Sequence, residues 1–340
     1  YQRNTNGMLA PGMQLPAVVG ASAPYQNTAD MRTRGWELSM NWRDQIGKVG
    51  YRVGFNLSDS QSKIVKYNSN ESGILTSTLS NGSTFWNYYE GKDLGEIWGY
   101  EYDGFYTVDD FTDTSSWKLK DGVPSIDGYN PRPGDVKFKN LMDDDRGTNM
   151  ISSGDNTVSN PGDRKVIGNN TPRYLYGITL GANFKGFDLN VFMQGTGKRD
   201  TWIANNLKFP LYSDFKFIAL YKDLSNYWKP VDAANGDYTA ANPNAEFPRI
   251  YGNYGNQGSN YRQSDKYLSD ASYFRIKNVT LSYTFPKAWI AKASLSQLKA
   301  FVSIENLATF SSLPKGIDPE TLSWNYPAFR TVSFGLNVTL

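Results

Sequence analysis

The sequence predicts an all-β protein, a transmembrane antiparallel β-barrel with tight turns at one end and long loops at the other. Three observations predict this fold class. Several segments alternate apolar and polar residues, long polar stretches separate them, and aromatic residues make up 15% of the 340-residue chain. No run approaches the roughly 18 consecutive apolar residues that a membrane-spanning helix needs.

The last segment of the chain shows the alternation best. Val332, Phe334, Leu336, Val338 and Leu340 share one face, and polar residues or glycine occupy the other. A strand that crosses a membrane needs about ten such residues, because one face meets lipid and the other meets the lumen. The segment is therefore predicted to be a membrane-spanning strand.

Two further pairs of alternating segments are joined by tight turns. They are 36–42 with 49–58 around the turn 43–48, and 174–184 with 187–194 around Lys185-Gly186. Their polar faces predict a set of lumen-facing side chains: Glu37, Arg52, Asp188 and Asn190. Aromatic residues at the strand ends predict a girdle at the level of the lipid headgroups.

Two segments break the alternation. In 273–285, Phe274 and Ile276 fall on the face opposite Val279. A β-bulge near Lys277-Asn278 would restore the phase; alternatively, the upper half of this strand stands above the membrane. In 298–305, Phe301 falls on the polar face and is expected to pack inside the barrel.

Long polar stretches separate the strands, roughly at 67–95, 140–172, 200–262 and 311–327. A soluble β-sandwich also alternates, but loops of this length are uncommon in compact soluble domains. Tight turns that alternate with long loops are typical of outer-membrane barrels. Loop length therefore favours the membrane barrel.

The composition excludes several functions. Cysteine and histidine are absent, which removes disulfides, Cys/His zinc sites, thiol nucleophiles and Ser–His–Asp relays. The net charge is +2 and no Lys/Arg run occurs, so no nucleic-acid partner is expected. Paired carboxylates such as Asp109-Asp110 fix no glycosidase geometry. The sequence therefore predicts a protein that is not an enzyme.

Aromatic residues in the loops are candidates to line a substrate chamber, since their faces suit sugar rings beside polar groups. The candidates are Trp86, Tyr88, Tyr89, Trp98, Tyr100, Tyr227, Trp228 and Tyr254. The alternative for each is ordinary packing within the loops. Within the longest loop, apolar residues at helical spacing over 214–228 predict a short amphipathic helix that docks a partner or caps the barrel mouth.

An acidic loop is a candidate calcium site, because hard cations bind several oxygen ligands. Asp143, Asp145 and Asp155 are the candidate ligands. The regular EF-hand spacing and its closing glutamate are missing. The alternative is a solvated acidic loop, and no other cofactor is expected.

Several short sequence motifs resemble signatures of the SusC/RagA family of TonB-linked outer-membrane proteins. They are LPAVVG at 15–20, TRGWEL at 33–38, Gly99-Tyr100 with Asp103-Gly104, GDVKF at 134–138, Asp163-Arg164 with 166–168, SDASYFRIKNVTLSY at 269–283, VSIENL at 302–307, GIDPE at 316–320, and the ending 326–340. These motifs match the family in order and are spread over nearly the whole chain. One departure is Leu340, where such barrels commonly end in an aromatic residue.

The resemblance implies that residues 1–340 form the C-terminal part of a larger plugged barrel, roughly eight to eleven of its strands. The N-terminal plug domain and the TonB box would precede this chain. The resemblance further implies a bacterial outer membrane of the Bacteroidetes type, a SusD-like surface lipoprotein as a lid, and energy supplied by the TonB complex. The lipid bilayer would surround the strands.

The implied function is active import of a nutrient, with an oligosaccharide or glycan as the preferred substrate. Three alternatives stay open: a peptide importer of the same family, a passive or structural outer-membrane barrel, and a secreted carbohydrate-binding β-protein.

Overall fold

The computed structural model describes residues 1–11, 24–78, 84–126, 128–142, 150–203, 208–209, 222–251, 259–291, 294–322 and 328–340. In chain order its strands are β1 Gln2–Pro11, β2 Tyr25–Ile46, β3 Val49–Tyr67, β4 Thr76–Thr78, β5 Thr84–Trp86, β6 Glu96–Tyr100, β7 Tyr102–Phe105, β8 Ser125–Ile126, β9 Val136–Phe138, β10 Met150–Ile151, β11 Arg164–Asn169, β12 Arg173–Phe184, β13 Phe187–Lys198, β14 Asp200–Trp202, β15 Pro230–Asp232, β16 Asp237–Ala240, β17 Leu268–Asp270, β18 Tyr273–Thr284, β19 Gln297–Ser311 and β20 Thr331–Thr339. The one α-helix among these residues is α1, Lys287–Ile290. Short 3-10 turns span Asn68–Asn70, Val108–Asp110, Lys222–Leu224, Ala233–Asn235 and Asp265–Tyr267.

Eight long strands form one antiparallel sheet in the order β1-β2-β3-β12-β13-β18-β19-β20. Every strand pairs with its neighbours in this meander, and β1 and β20 form the two edges of an open wall that is not closed into a barrel. The all-β antiparallel prediction is confirmed. The described part of the chain contains no helix long and apolar enough to cross a membrane.

The register of the sheet sorts apolar and polar residues into separate rows. One row crosses the strands through Trp42, Val53, Leu180, Val191, Val279, Ile304 and Val332. The next row crosses them through Arg43, Arg52, Gly181, Asn190, Thr280, Ser303 and Ser333. Because side chains alternate along each strand, the first row lies on one face, the outer face, and the second lies on the other, the inner face.

The outer face is apolar and uncovered. Trp42 is 62% exposed and Phe334 is 80% exposed. A water-soluble monomer rarely leaves so large an apolar surface open, whereas a lipid-facing wall requires it.

The predicted tight turns are confirmed at one end of the sheet, the short-turn end. β2 and β3 remain paired as far as Ile46 and Val49, so their turn is only Gly47-Lys48 and is shorter than predicted. Gly47 has a φ of 61°, which two-residue hairpin turns require at this position. Lys185 and Gly186 both have positive φ, the signature of a type I′ turn.

The predicted β-bulge in β18 is confirmed at Lys277. Both neighbouring strands skip this residue, since their pairing passes from Ile276 directly to Asn278. The extra residue returns Phe274 and Ile276 to the outer face and turns Arg275 inward.

Phe301 lies on the inner face, as predicted. Its ring covers Gly335 of the adjacent strand, where an added Cβ would clash with the ring. The glycine thus makes room for an aromatic side chain that packs against the wall itself.

The long connections pack together at the other end of the sheet. The predicted loops 67–95 and 140–172 are parts of one long connection between β3 and β12, the excursion 68–172. Strands β6 to β10, which lie between the two predicted loops, pair outside the main sheet. This excursion and the second, 199–272, make up the long-loop layer. They are joined by bonds such as Tyr100 N–H to Gln263 O, 2.9 Å.

The hydrophobic clusters of the described chain lie in this layer. They are Tyr100, Ile126, Val136, Phe138 and Ile151; Phe209, Leu224, Phe247, Tyr261 and Tyr267; and Leu75, Tyr89 and Trp98. The sheet turns its apolar residues outward, so apolar burial concentrates in the loops.

Candidate functional site

Three of the predicted lumen-facing residues come together on the inner face. The Arg52 guanidinium on β3 donates to the Asn190 side chain on β13 and lies 3.9 Å from the Asp188 carboxylate. Asn190 also donates to Asp188. Gly181, on the intervening strand, leaves the space that Arg52 occupies. The fourth, Glu37, lies apart from this cluster, opposite Ser58 on β3, and its side chain is exposed.

A second inner-face cluster centres on Arg275, which is only 1% exposed. Its Nη2 donates to Asp318 Oδ2 at 2.8 Å, and its Nε donates to Thr309 Oγ1 at 2.8 Å. Its Nη1 lies 2.8 Å from Glu320 Oε2 as an ion pair, although its N–H groups are not aligned with that oxygen. We call Arg275, Lys277, Asp318 and Glu320 the inner ion network.

Further contacts complete the inner ion network. The bulged Lys277 places its Nζ 3.3 Å from Glu320 Oε2. Gln194 donates to Glu320 Oε1 at 2.6 Å, and the Tyr273 hydroxyl donates to it at 3.3 Å. The bulge therefore delivers a second cation to the inner face beside Arg275.

The inner ion network fixes the connection 312–330 to the wall, because its two carboxylates belong to that connection. Burial favours a raised pKa for Asp318, but the Glu320 backbone N–H and the Arg275 guanidinium outweigh it and hold that pKa below its ordinary value. The carboxylate thus stays ionised at neutral pH. Sequence reasoning missed this network, although it identified the two sequence motifs that supply its residues, 269–283 and 316–320.

Four of the predicted chamber residues have side chains inside the long-loop layer. Tyr89, Trp98, Tyr100 and Trp228 are buried in the long-loop layer. Trp98 Nε1 donates to Glu96 Oε1 at 2.7 Å, and the Trp228 ring fills the space beside Gly134. These side chains hold the loops together and present little surface to a ligand.

Three other predicted chamber residues remain accessible. Tyr88 is 47% exposed, and Lys92 Nζ lies 5.8 Å from its ring centre. Trp86 is half-buried and donates to Gln263 Oε1 at 3.2 Å, which links the two excursions. Tyr227 is half-buried, with Lys229 Nζ 4.6 Å from its ring centre. Tyr254 lies outside the described residues.

A buried carboxylate joins the two excursions of the long-loop layer. Asp135 is fully buried and accepts hydrogen bonds from the hydroxyls of Tyr129, 2.7 Å, and Tyr251, 2.6 Å. The Asn260 amide donates to it at 3.0 Å and the Arg132 backbone N–H at 2.7 Å. Burial raises the pKa of Asp135, while these donors oppose the rise. The carboxylate holds segments distant in sequence in one arrangement.

The calcium prediction is only partly covered by the structure. Asp143 and Asp145 lie outside the described residues, and Asp155 sits in a turn closed by its own backbone N–H to Asn160 O, 3.1 Å. Asp163 is buried and accepts three backbone N–H groups, among them Ser152 at 2.7 Å. Among the described residues, no three acidic side chains are close enough to hold a metal ion.

The amphipathic-helix prediction over 214–228 falls mostly outside the described residues. Its described end is a single 3-10 turn, Lys222–Leu224, followed by extended chain. Leu224 and Trp228 are buried there, so this end packs within the loop layer.

An open apolar outer face, a polar bonded inner face, tight turns at one end and a packed loop layer at the other define the wall of an outer-membrane β-barrel. No protein-family model matches the sequence. The chain is similar over 99% of its length to TonB-dependent receptor P3 of Formosa agariphila, with 28% identity and 31% of that protein covered. It is 22% identical to TonB-dependent receptor SusC of Bacteroides thetaiotaomicron, over 99% of the chain and 29% of SusC.

Solved structures share the fold. The RagAB peptide importer in its closed-closed state matches 99% of the chain and 32% of the solved chain, with a TM-score of 0.66 and 21% identity. The chain spans about a third of the length of the curated relatives it matches. The chain is thus similar along nearly its whole length to TonB-dependent receptors, among them SusC, and it is a β-barrel protein of the bacterial outer membrane.

Proposed function

We propose that this chain forms part of the wall and the substrate-gathering loops of a TonB-dependent importer of nutrients. One observation carries the proposal: the whole chain aligns with TonB-dependent receptors, and its fold has the lipid-facing wall and packed loop layer that such a receptor needs. In this proposal the wall is the C-terminal part of the barrel. A plug domain and a TonB box elsewhere in the protein couple the barrel to TonB.

The inner face would form the lumen wall around the plug. Its residues pair with one another, as Arg52 does with Asp188 and Arg275 with Asp318. Paired charges present less net field to a moving plug than isolated ones. These side chains therefore act by binding and positioning, without covalent chemistry.

The proposed substrate class is oligosaccharides. Tyr88, Trp86 and Tyr227 offer aromatic faces beside Lys92, Gln263 and Lys229, a mixture that suits stacking on C–H faces and hydrogen bonding to hydroxyls. A SusD-like lipoprotein would close over the loop layer and hold the substrate against it. Peptides are the competing substrate class.

The test uses the complete protein in its own outer membrane. Uptake of a labelled oligosaccharide mixture and of a labelled peptide mixture is compared in cells with and without TonB. TonB-dependent sugar uptake supports the proposal, and TonB-dependent peptide uptake replaces its substrate class. Uptake that persists without TonB indicates a passive barrel and overturns the proposal.

Tyr88→Ala localises the binding surface. We expect the substrate concentration for half-maximal uptake to rise several-fold, since an exposed aromatic face is lost. Trp289→Ala is the matched control: this side chain is also an exposed aromatic, but it lies at the short-turn end. Equal effects of the two substitutions would remove Tyr88 from the proposed chamber.

A further inference from the structure

A row of aromatic rings, the aromatic band, lies at the short-turn end of the outer face along β13, β18 and α1. Phe187 and Tyr283 lie 4.6 Å apart between ring centres, Tyr283 and Phe285 lie 5.1 Å apart, and Phe285 and Trp289 lie 6.3 Å apart. Trp289 is 67% exposed and extends the band onto α1. Aromatic side chains gather in this way where hydrocarbon gives way to headgroups.

Each of the three connections at this end carries a lysine. Lys48 lies in the first turn, Lys185 in the second, and Lys287 begins α1 in the third. All three side chains are exposed. Lys185 follows the outward-facing Phe184, and its Nζ lies 5.3 Å from that ring centre.

These lysines have no acidic partner among the described residues within ion-pair distance, in contrast to Lys137, Lys139 and Lys165 of the long-loop layer. The outer-face carboxylate at this end, Asp44, accepts the backbone N–H of Gln45. The rim is therefore cationic, and its charges are free to meet anions from outside the protein.

We infer that the three lysines and the aromatic band form a binding rim for anionic phospholipids in the leaflet at the short-turn end. The aromatic rings set the depth of the headgroups. A lysine at the end of a membrane-spanning strand can extend its side chain along the lipid and place its ammonium group at the phosphate. Three such cations select a headgroup with net negative charge over a zwitterionic one. The inference is independent of the proposed import function.

The test counts lipids retained by the complete detergent-solubilised protein. The protein is incubated with phosphatidylglycerol or phosphatidylcholine of the same acyl chains, and bound lipid is measured by native mass spectrometry. We expect phosphatidylglycerol to be retained preferentially. Each Lys→Gln substitution at 48, 185 or 287 should weaken that retention about fivefold, the effect of one lysine near an anionic surface.

A charge-matched control separates the rim from general electrostatics. It carries Lys118→Gln, Lys120→Gln and Lys222→Gln, three exposed lysines of the long-loop layer, and should retain phosphatidylglycerol normally. Lys→Arg substitutions at the rim should also preserve retention. Heat-dependent migration in SDS gels checks that every variant is folded.

Two results would overturn the inference. One is equal retention of phosphatidylglycerol by the control variant and by a triple rim variant that carries Lys48→Gln, Lys185→Gln and Lys287→Gln together. The other is displacement of the lipid by inorganic phosphate at the same concentration, which would make the rim a simple anion site.

Discussion

Removal of the Arg275 guanidinium should destabilise the barrel wall strongly. Arg275→Met keeps most of the side-chain volume but leaves Asp318 and Glu320 close together without their shared cation. Breaking a buried ion pair in this way costs about 3–5 kcal/mol. The lower end applies here, because Asp318 keeps the Glu320 backbone N–H at 2.8 Å and Glu320 keeps Lys277 at 3.3 Å.

The assay is the temperature at which the folded, fast-migrating form of the complete protein converts to the unfolded form in SDS gels. Arg275→Met should lower this midpoint by several degrees. Arg52→Met is the matched control on the same face. Its partner Asp188 lies 3.9 Å away and both side chains are partly exposed, so its loss should cost within about 1 kcal/mol.

A double substitution separates lost charge pairing from lost packing. Arg275→Met with Asp318→Asn should recover part of the loss, because it neutralises a carboxylate that Arg275→Met leaves without its cation. Equal midpoints for Arg275→Met and Arg52→Met would refute the reasoning. So would a double variant whose loss equals the sum of the two single losses.

Three further predictions concern packing, register and ionisation. Gly335→Ala should lower the gel-shift midpoint by displacing the ring of Phe301, whereas Gly177→Ala, with its nearest aromatic atom at 3.6 Å, should be tolerated. Deletion of Lys277 should prevent assembly of the folded band, because it turns half of β18 to the wrong face. Burial lowers the pKa of Lys92 to about 8, so the folded state binds fewer protons than the unfolded state between about pH 8 and 10.5. Stability should therefore rise with pH in that window, and Lys92→Met should reduce the rise.

The wall could be predicted from sequence because its signal is local. A period of two residues assigns each side chain to a face, and the face then fixes the register. The phase break in β18 was informative for the same reason: Ile276 on the face opposite Val279 predicted either a β-bulge or a strand end above the membrane, and the structure has the bulge, with Lys277 as its extra residue.

The long-loop layer could not be predicted in the same way. Its segments follow no period, and its contacts join residues far apart, such as Asp135 with Asn260. Aromatic composition therefore identified the layer but did not separate the buried Trp98 from the exposed Tyr88. The inner ion network was missed because it joins a strand residue, Arg275, to a loop residue 43 positions later, Asp318. Each residue lies in a family-like sequence motif, but neither motif shows that the two residues are in contact.

The two halves of the molecule obtain their order from different forces. The wall turns its apolar side chains toward lipid, so its strands are held by ladder hydrogen bonds and by inner-face pairs such as those of Arg275. The loop layer is held by buried aromatic clusters and by the hydrogen bonds that converge on Asp135. Asp318 and Glu320 bind Arg275 on the inner face, so the inner ion network ties the connection between β19 and β20 to the wall independently of the aromatic clusters.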